Sequence, residues 1–249
     1  MTTRRNILKS GAGLAAILAS GKAPAAFIKS MLAARNSIVT KSGGAKLPYD
    51  AVVEYLESTG TQWCRIGYTP KSNTEIRSTI KFTTDQYGNA AFGCVSSGSS
   101  GSGYLGLSQG NSQYNGHKIP RFYTQRNYFD LSGVDTSIEL EYVIKNGPDT
   151  TEWSAGYASG SSSGDVSHGS YDPTVGFGIF AITRLLSATQ APSISAGMRL
   201  YRLEILEDGV AVHDIIPVRS GTEGSLYDRI AGQIYRNAGT GSFSYGNDK

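Results

Sequence analysis

The chain predicts an all-β fold, a sandwich of two packed antiparallel sheets. Three observations predict it. Several segments alternate apolar and polar residues with a period of two. Gly, Asn and Asp turn signals separate these segments. The composition, with 31 glycines, 15 tyrosines and 17% charged residues, suits a turn-rich β-protein better than a helical one.

Residues 1–25 read as an export leader. Thr3-Arg4-Arg5-Asn6-Ile7-Leu8-Lys9 has the order of a twin-arginine signal. The weakly apolar stretch 11–21 is too short to span a bilayer as a permanent helix. Ala23-Pro24-Ala25 then supplies a small-x-small cleavage site, placing the mature start near Ala26 and the protein in the periplasm, at the cell surface or outside the cell. Within residues 26–47, Phe27, Ile28, Met31, Leu32, Ile38 and Val39 recur at helical spacing. A short helix there would be an uncleaved anchor, a self-association element over 27–39, or the tail of the leader. TKSGGAK, at 40–46, reads as a flexible linker.

Residues 48–249 form the predicted β-domain. Eight of the 23 Lys and Arg precede residue 48 and no Asp or Glu does, leaving 15 basic against 20 acidic residues, a balance of −5 for the domain. No nucleic-acid partner is expected on that ground, because the domain has no basic excess with which to neutralise phosphates.

Residues 51–69 read as strand, turn, strand. Residues 74–83 alternate, with Ile76, Ile80 and Phe82 on one face and Glu75, Arg77 and Lys81 on the other. Ile138, Leu140, Tyr142 and Ile144 repeat the pattern opposite Glu139, Glu141 and Lys145. The apolar run 175–182 predicts a central strand covered on both sides. Tyr201, Leu203 and Ile205 precede Asp208-Gly209, a two-residue hairpin signal that leads into 210–218. Residues 226–243 close the chain with another strand, turn and strand. In all, about a dozen strands suit two sheets of a jelly roll. The first and last strands must be neighbours, since an open edge templates aggregation. The Gly/Ser runs 96–103 and 154–170 predict mobile surface loops.

The opening residues Glu54, Tyr55, Glu57, Ser58, Thr59, Gly60, Thr61 and Gln62 resemble the start of concanavalin A-like, laminin-G-like jelly-roll domains of bacterial surface and phage structural proteins. Tyr227, Asp228, Tyr235, Asn237, Gly239, Thr240, Gly241 and Phe243 resemble their end. The resemblance implies a concanavalin A-like jelly-roll sandwich over residues 48–249. That fold hosts lectins, glycosidases and inert spacers alike.

Sugar recognition on such sandwiches rests on aromatic rings that stack on pyranose faces, helped by amide and Arg hydrogen bonds. Tyr104, Asn111, Tyr114, His117, Arg121, Tyr123, Arg126 and Tyr128 concentrate these types in one stretch, and Trp153 and Tyr157 border the second Gly/Ser run. These are the candidate ligand-binding residues. The expected function is an exported, non-catalytic, lectin-like module; the alternative is a structural or adhesive spacer contacting a cell-surface or virion protein.

Other chemistry has less support. Glu139 and Glu141 make the best carboxylate pair, but they sit on the polar side of an amphipathic strand and lack the Glu-x-Asp-x-x-Glu cluster that the resemblance implies for a glycosidase. Gly101-Ser102-Gly103-Tyr104-Leu105-Gly106 spells a dinucleotide fingerprint with no helix pattern after it, and Gly160-Ser161-Ser162-Ser163-Gly164 a nucleophile elbow set in low-complexity sequence. His117, His168 and His213 have no partner at metal-ligand spacing. No cofactor is expected; structural calcium stays open, with Asp165 and Asp172 the loop pair to consider. Cys64 and Cys94 are open to one disulfide or to two buried thiols.

Overall fold

The computed structural model describes residues 47–95, 103–124, 127–147, 150–163, 171, 173–184 and 192–249. The leader, the 27–39 helix, the linker, the run 96–102, Arg126, Asp165 and Asp172 lie outside these residues.

Strands carry the described chain throughout. They are β1 (Ala51–Val52), β2 (Leu56–Thr59), β3 (Cys64–Ile66), β4 (Thr74–Phe82), β5 (Ala90–Val95), β6 (Tyr104–Tyr114), β7 (His117–Thr124), β8 (Asn127–Asp130), β9 (Leu140–Asn146) and β10 (Thr150–Ala155). After them come β11 (Ala158–Ser163), β12 (Phe177–Ile179), β13 (Ala181–Arg184), β14 (Pro192–Ser195), β15 (Gly197–Glu207), β16 (Val210–Ser220), β17 (Glu223–Asp228), β18 (Gln233–Tyr235) and β19 (Ser244–Tyr245). The expectation of about a dozen fell short because strands of two to four residues, such as β1, β3, β12, β18 and β19, are too short to show a period of two.

They form two sheets. The first runs β11-β10-β9-β4-β15-β16-β17-β18, with β2 beside the first half of β15, β19 outside β2, and β1 beside the end of β16. The second runs β14-β13-β5-β6-β7-β8, with β12 added beside β5 and β3 beside β12. Their inner faces pack into a β-sandwich core. Ile76, Ile80, Tyr142, Ile144, Leu200, Leu203 and Ile205 come from the first sheet, and Phe92, Leu105, Leu107 and Phe122 from the second. Across the gap Phe122 meets Tyr142 at 6.4 Å, and Phe129 stacks on Trp153 at 4.2 Å.

The ends of the domain meet. Ser244 and Tyr245 pair with Glu57 and Leu56, and Val53 bridges Asp248. The turn after β2 is the corner where the chain leaves the first sheet for β3 of the second. There the Ala238 amide donates to the Trp63 carbonyl (2.8 Å), the Thr240 amide to the Thr61 carbonyl (3.1 Å), and the Trp63 amide to Asn237 Oδ1 (3.1 Å). A Cβ on Gly239 would lie 2.0 Å from the Thr61 carbonyl oxygen, so only glycine fits this crossing. Gln62, 4% exposed, receives the Thr59 amide (2.8 Å) and the Ser58 hydroxyl (3.1 Å) on Oε1.

Asp208-Gly209 turns the β15–β16 hairpin as expected, with φ of 49° and 77°. Three expectations are corrected, and one left open is decided. The run 175–182 is not one strand: β12 runs antiparallel to β5, the chain reverses at Phe180 (φ 66°), and β13 runs parallel to β5. A bulky residue at positive φ is strained, and the fully buried Phe180 ring, 4.8 Å from Phe243, offsets the strain by packing. Ile138 is 46% exposed and precedes β9, because Asp135 Oδ1 takes the Ser137 amide and hydroxyl and holds the chain in a turn. Much of the second Gly/Ser run is not loop: residues 154–155 complete β10 and 158–163 form β11 around the turn at 156–157, since ladder bonds need only backbone groups. Of the two readings of Cys64 and Cys94, the structure has the two buried free thiols, and burial pushes both well above the ordinary thiol value.

Asp228 on β17 is fully buried. Its carboxylate accepts from His213 Nδ1 (2.5 Å) and from the amides of Asp214, Ile230 and Ala231, pinning the turn into β18. Burial alone would raise its pKa; the four donors outweigh burial and hold it below the ordinary aspartate value. The stabilisation is therefore present above about pH 4, the unfolded value, and is lost as pH falls through the depressed folded value. Asp228→Asn is expected to lower stability at neutral pH by about 1–3 kcal/mol and to flatten the acid limb of the stability curve, as measured by urea unfolding at a series of pH values.

Candidate functional site

The outer face of the second sheet gathers most of the sequence-predicted residues. Alternation puts Phe122 of β7, Leu105 and Leu107 of β6 and Phe129 of β8 toward the core. Arg121, Tyr123, Tyr104, Tyr128 and Asp130 therefore point outward. Register then aligns them: Tyr123 stands opposite Tyr128, and Arg121 opposite Asp130. Tyr104 stacks on Tyr123 at 4.2 Å and 28°, and Tyr123 meets Tyr128 at 6.3 Å and 56°. Three rings thus run across three strands.

Arg121 lies at the head of this row with its side chain 9% exposed. Its Nε and one Nη donate to the two carboxylate oxygens of Asp130 at 2.6 and 2.7 Å, a bidentate fork. Those hydrogen bonds hold the guanidinium even more firmly protonated than usual. A Cβ on Gly110 would come 2.7 Å from Asp130 Oδ1, so glycine leaves the carboxylate its room. The guanidinium lies 4.0 Å from the Tyr128 ring centre and 5.6 Å from that of Tyr87. Both rings keep more than half their surface in solvent, 58% for Tyr128 and 52% for Tyr87.

Tyr87 sits in the turn between β4 and β5, which is fixed from below. Buried Gln109 receives the Gln86 amide (3.1 Å) and Asn89 Nδ2 (3.0 Å) on Oε1, donates to Thr136 Oγ1 (3.1 Å), and its carbonyl takes the Gly88 amide (2.9 Å). The platform is consequently two half-exposed tyrosines flanking a charge-neutralised arginine.

Other predicted residues fall elsewhere. Asn111, Tyr114 and His117 belong to the tip of the β6–β7 hairpin, turned by Asn115-Gly116. Tyr104 opens β6 and Tyr114 closes it, about 30 Å apart at strand rise. Tyr157 is 70% exposed in the β10–β11 turn of the first sheet, with its hydroxyl on the Gly133 carbonyl (2.7 Å). Trp153 lies in the core, 8% exposed and stacked on Phe129, away from the tyrosine row. Tyr87 and Asp130 were missed. Tyr87 carries no sequence signal, and Asp130 becomes visible only once register is known.

The first sheet has its own depression on its outer face, about 590 Å³, lined by Glu75, Arg77, Lys145, Glu152, Ser154 and Ser159 among others. Glu141, exposed on β9 opposite Thr79, and Glu139, exposed before β9, do not line it. Among the described residues no three His, Cys, Asp or Glu side chains are grouped to hold a metal. No family model matches the chain, and no curated protein matches it.

Arg121→Lys keeps the charge but loses the fork and the flat stacking on Tyr128. It is expected to lower stability by about 1–2 kcal/mol, read from the urea midpoint, with Asp130→Asn giving a comparable loss and the double variant costing less than the sum.

Proposed function

We propose that this chain is an exported, non-catalytic recognition module that binds neutral glycans through Tyr87, Arg121 and Tyr128. The observation that carries the reading is the Asp130-neutralised guanidinium held between two half-exposed tyrosine rings. Such rings offer flat apolar faces to the C–H faces of a sugar. The guanidinium N–H groups that Asp130 leaves free are donors for hydroxyls. With its charge already paired, Arg121 gives little advantage to an acidic sugar. The site is shallow, so affinity for one sugar is weak and multivalency matters.

The sandwich reads as a concanavalin A-like jelly roll. Supporting this, the opening and closing motifs that carry the resemblance interlock at the corner after β2. Export is read from the twin-arginine order at residues 3–9.

A spacer module of a cell surface or virion is the second reading. It is favoured by the interlocking of Tyr104, Tyr123 and Tyr128, which fills much of the face with the protein's own rings.

An array of neutral and acidic oligosaccharides probed with the full chain separates the two. Binding to neutral members is expected, weakened about tenfold (about 1.4 kcal/mol) in Tyr128→Ala and Tyr87→Ala at unchanged unfolding temperature. Binding to no glycan would favour the spacer, and preference for acidic members would contradict the assigned site.

A further inference from the structure

We infer that the depression on the first sheet is a second glycan subsite, shaped for a stretch of neutral sugar chain, so that a single chain is bivalent. The inference rests on the recognition reading above. Its evidence comes from the opposite side of the sandwich.

The depression crosses β4, β9, β10 and β11, three inter-strand steps or about 14 Å. That is longer than one sugar ring and suits an oligomer. At about 590 Å³ it falls within the usual range of small-molecule sites, about 300–1,000 Å³. Register builds it in two rows: Glu75, Lys145, Glu152 and Ser161 in one, Arg77, Val143, Ser154 and Ser159 in the other. These residues alternate with Ile76, Tyr142, Ile144 and Trp153, which face the core, so the rows point outward.

The lining chemistry selects the ligand. Carboxylates accept, Lys and Arg donate, and serine hydroxyls do both, a set that matches sugar hydroxyls. The charges cancel in adjacent pairs, Arg77 Nε with Glu75 Oε1 at 2.5 Å and Lys145 Nζ with Glu152 Oε2 at 3.3 Å. No excess charge is left to attract a phosphate, a uronic acid or a polycation. Trp153, the one aromatic residue at its wall, is 8% exposed, with its ring stacked on Phe129 and Gly160 packed close against it, so it offers little face to a sugar. A sugar chain here is held by hydrogen bonds, whereas the platform on the second sheet holds its ligand by stacking. Ser159, Gly160 and Ser161 keep the β11 side of the depression low, so a chain can continue past it.

Two sites on opposite outer faces allow one chain to bridge two glycans, supplying the multivalency that a shallow site needs. The test uses the full chain and beads carrying neutral hexasaccharides of gluco, galacto and manno configuration. Ser159→Ile and Lys145→Met alter exposed strand positions of the depression, and Tyr128→Ala alters the platform. Wild type is expected to agglutinate the beads. Each single-face variant should still bind them while its agglutination titre falls at least tenfold, and a variant altered on both faces should bind none.

Wild-type titre in Ser159→Ile and Lys145→Met, with all binding lost in Tyr128→Ala, would overturn the second subsite and leave the platform standing. Binding lost in the depression variants but intact in Tyr128→Ala would remove the platform and the bivalence together. No binding of wild type to any bead would overturn both readings.

Discussion

Everything in this sandwich depends on the corner where the two ends of the domain cross. The turn 60–62 carries the chain from β2 in the first sheet to β3 in the second, and the 237–240 turn lies against it through backbone bonds that leave no space for a side chain at Gly239. Joining segments some 175 residues apart costs entropy that grows only slowly with the length enclosed. Once made, the crossing fixes several partners at once. β2 is held beside β15, β19 is held on β2, and β3 is held beside β12, which in turn pairs with β5. The sheet that presents the tyrosine platform is thereby tied to the sheet that contains both ends.

Burial and charge pairing shape the outer faces in a consistent way. Arg121 is nearly buried and forked onto Asp130 through Nε and one Nη, Arg199 of β15 lies over Tyr55 while pairing with Glu57, and Asp214 joins Arg202 to Arg229. The more solvent-exposed of these pairs, such as Arg199–Glu57, contribute little to stability one by one. Their main effect is to spread neutral, donor-rich and acceptor-rich surface over both faces, which is the surface chemistry that hydroxyl-rich ligands meet best.

Much of the fold was legible because side-chain alternation is a direct record of which face is buried. Ile76, Ile80 and Phe82 are all core residues, and Asp208-Gly209 turns where its φ preferences allow. The failures share one cause: backbone geometry that side-chain pattern does not record. Nothing in an apolar run signals the reversal at Phe180, and serine and glycine in β11 pair through groups common to all residues. The site was half legible. Arg121, Tyr123, Tyr128 and Tyr104 could be picked out by residue type, but proximity in sequence misled for Asn111, Tyr114 and His117, because an extended strand carries neighbours far apart. Asp130 and Tyr87 join Arg121 through register and through a turn held by Gln109, neither of which a linear reading contains.

The most direct test of the crossing is amide hydrogen exchange at Trp63, Ala238 and Thr240 in the full chain. If the crossing holds the sandwich closed, these amides exchange only through global unfolding, with protection equal to that of core strand amides such as Ile76 and Leu203. Exchange at the fast rates of fraying chain ends, while the core strands stay protected, would contradict that account.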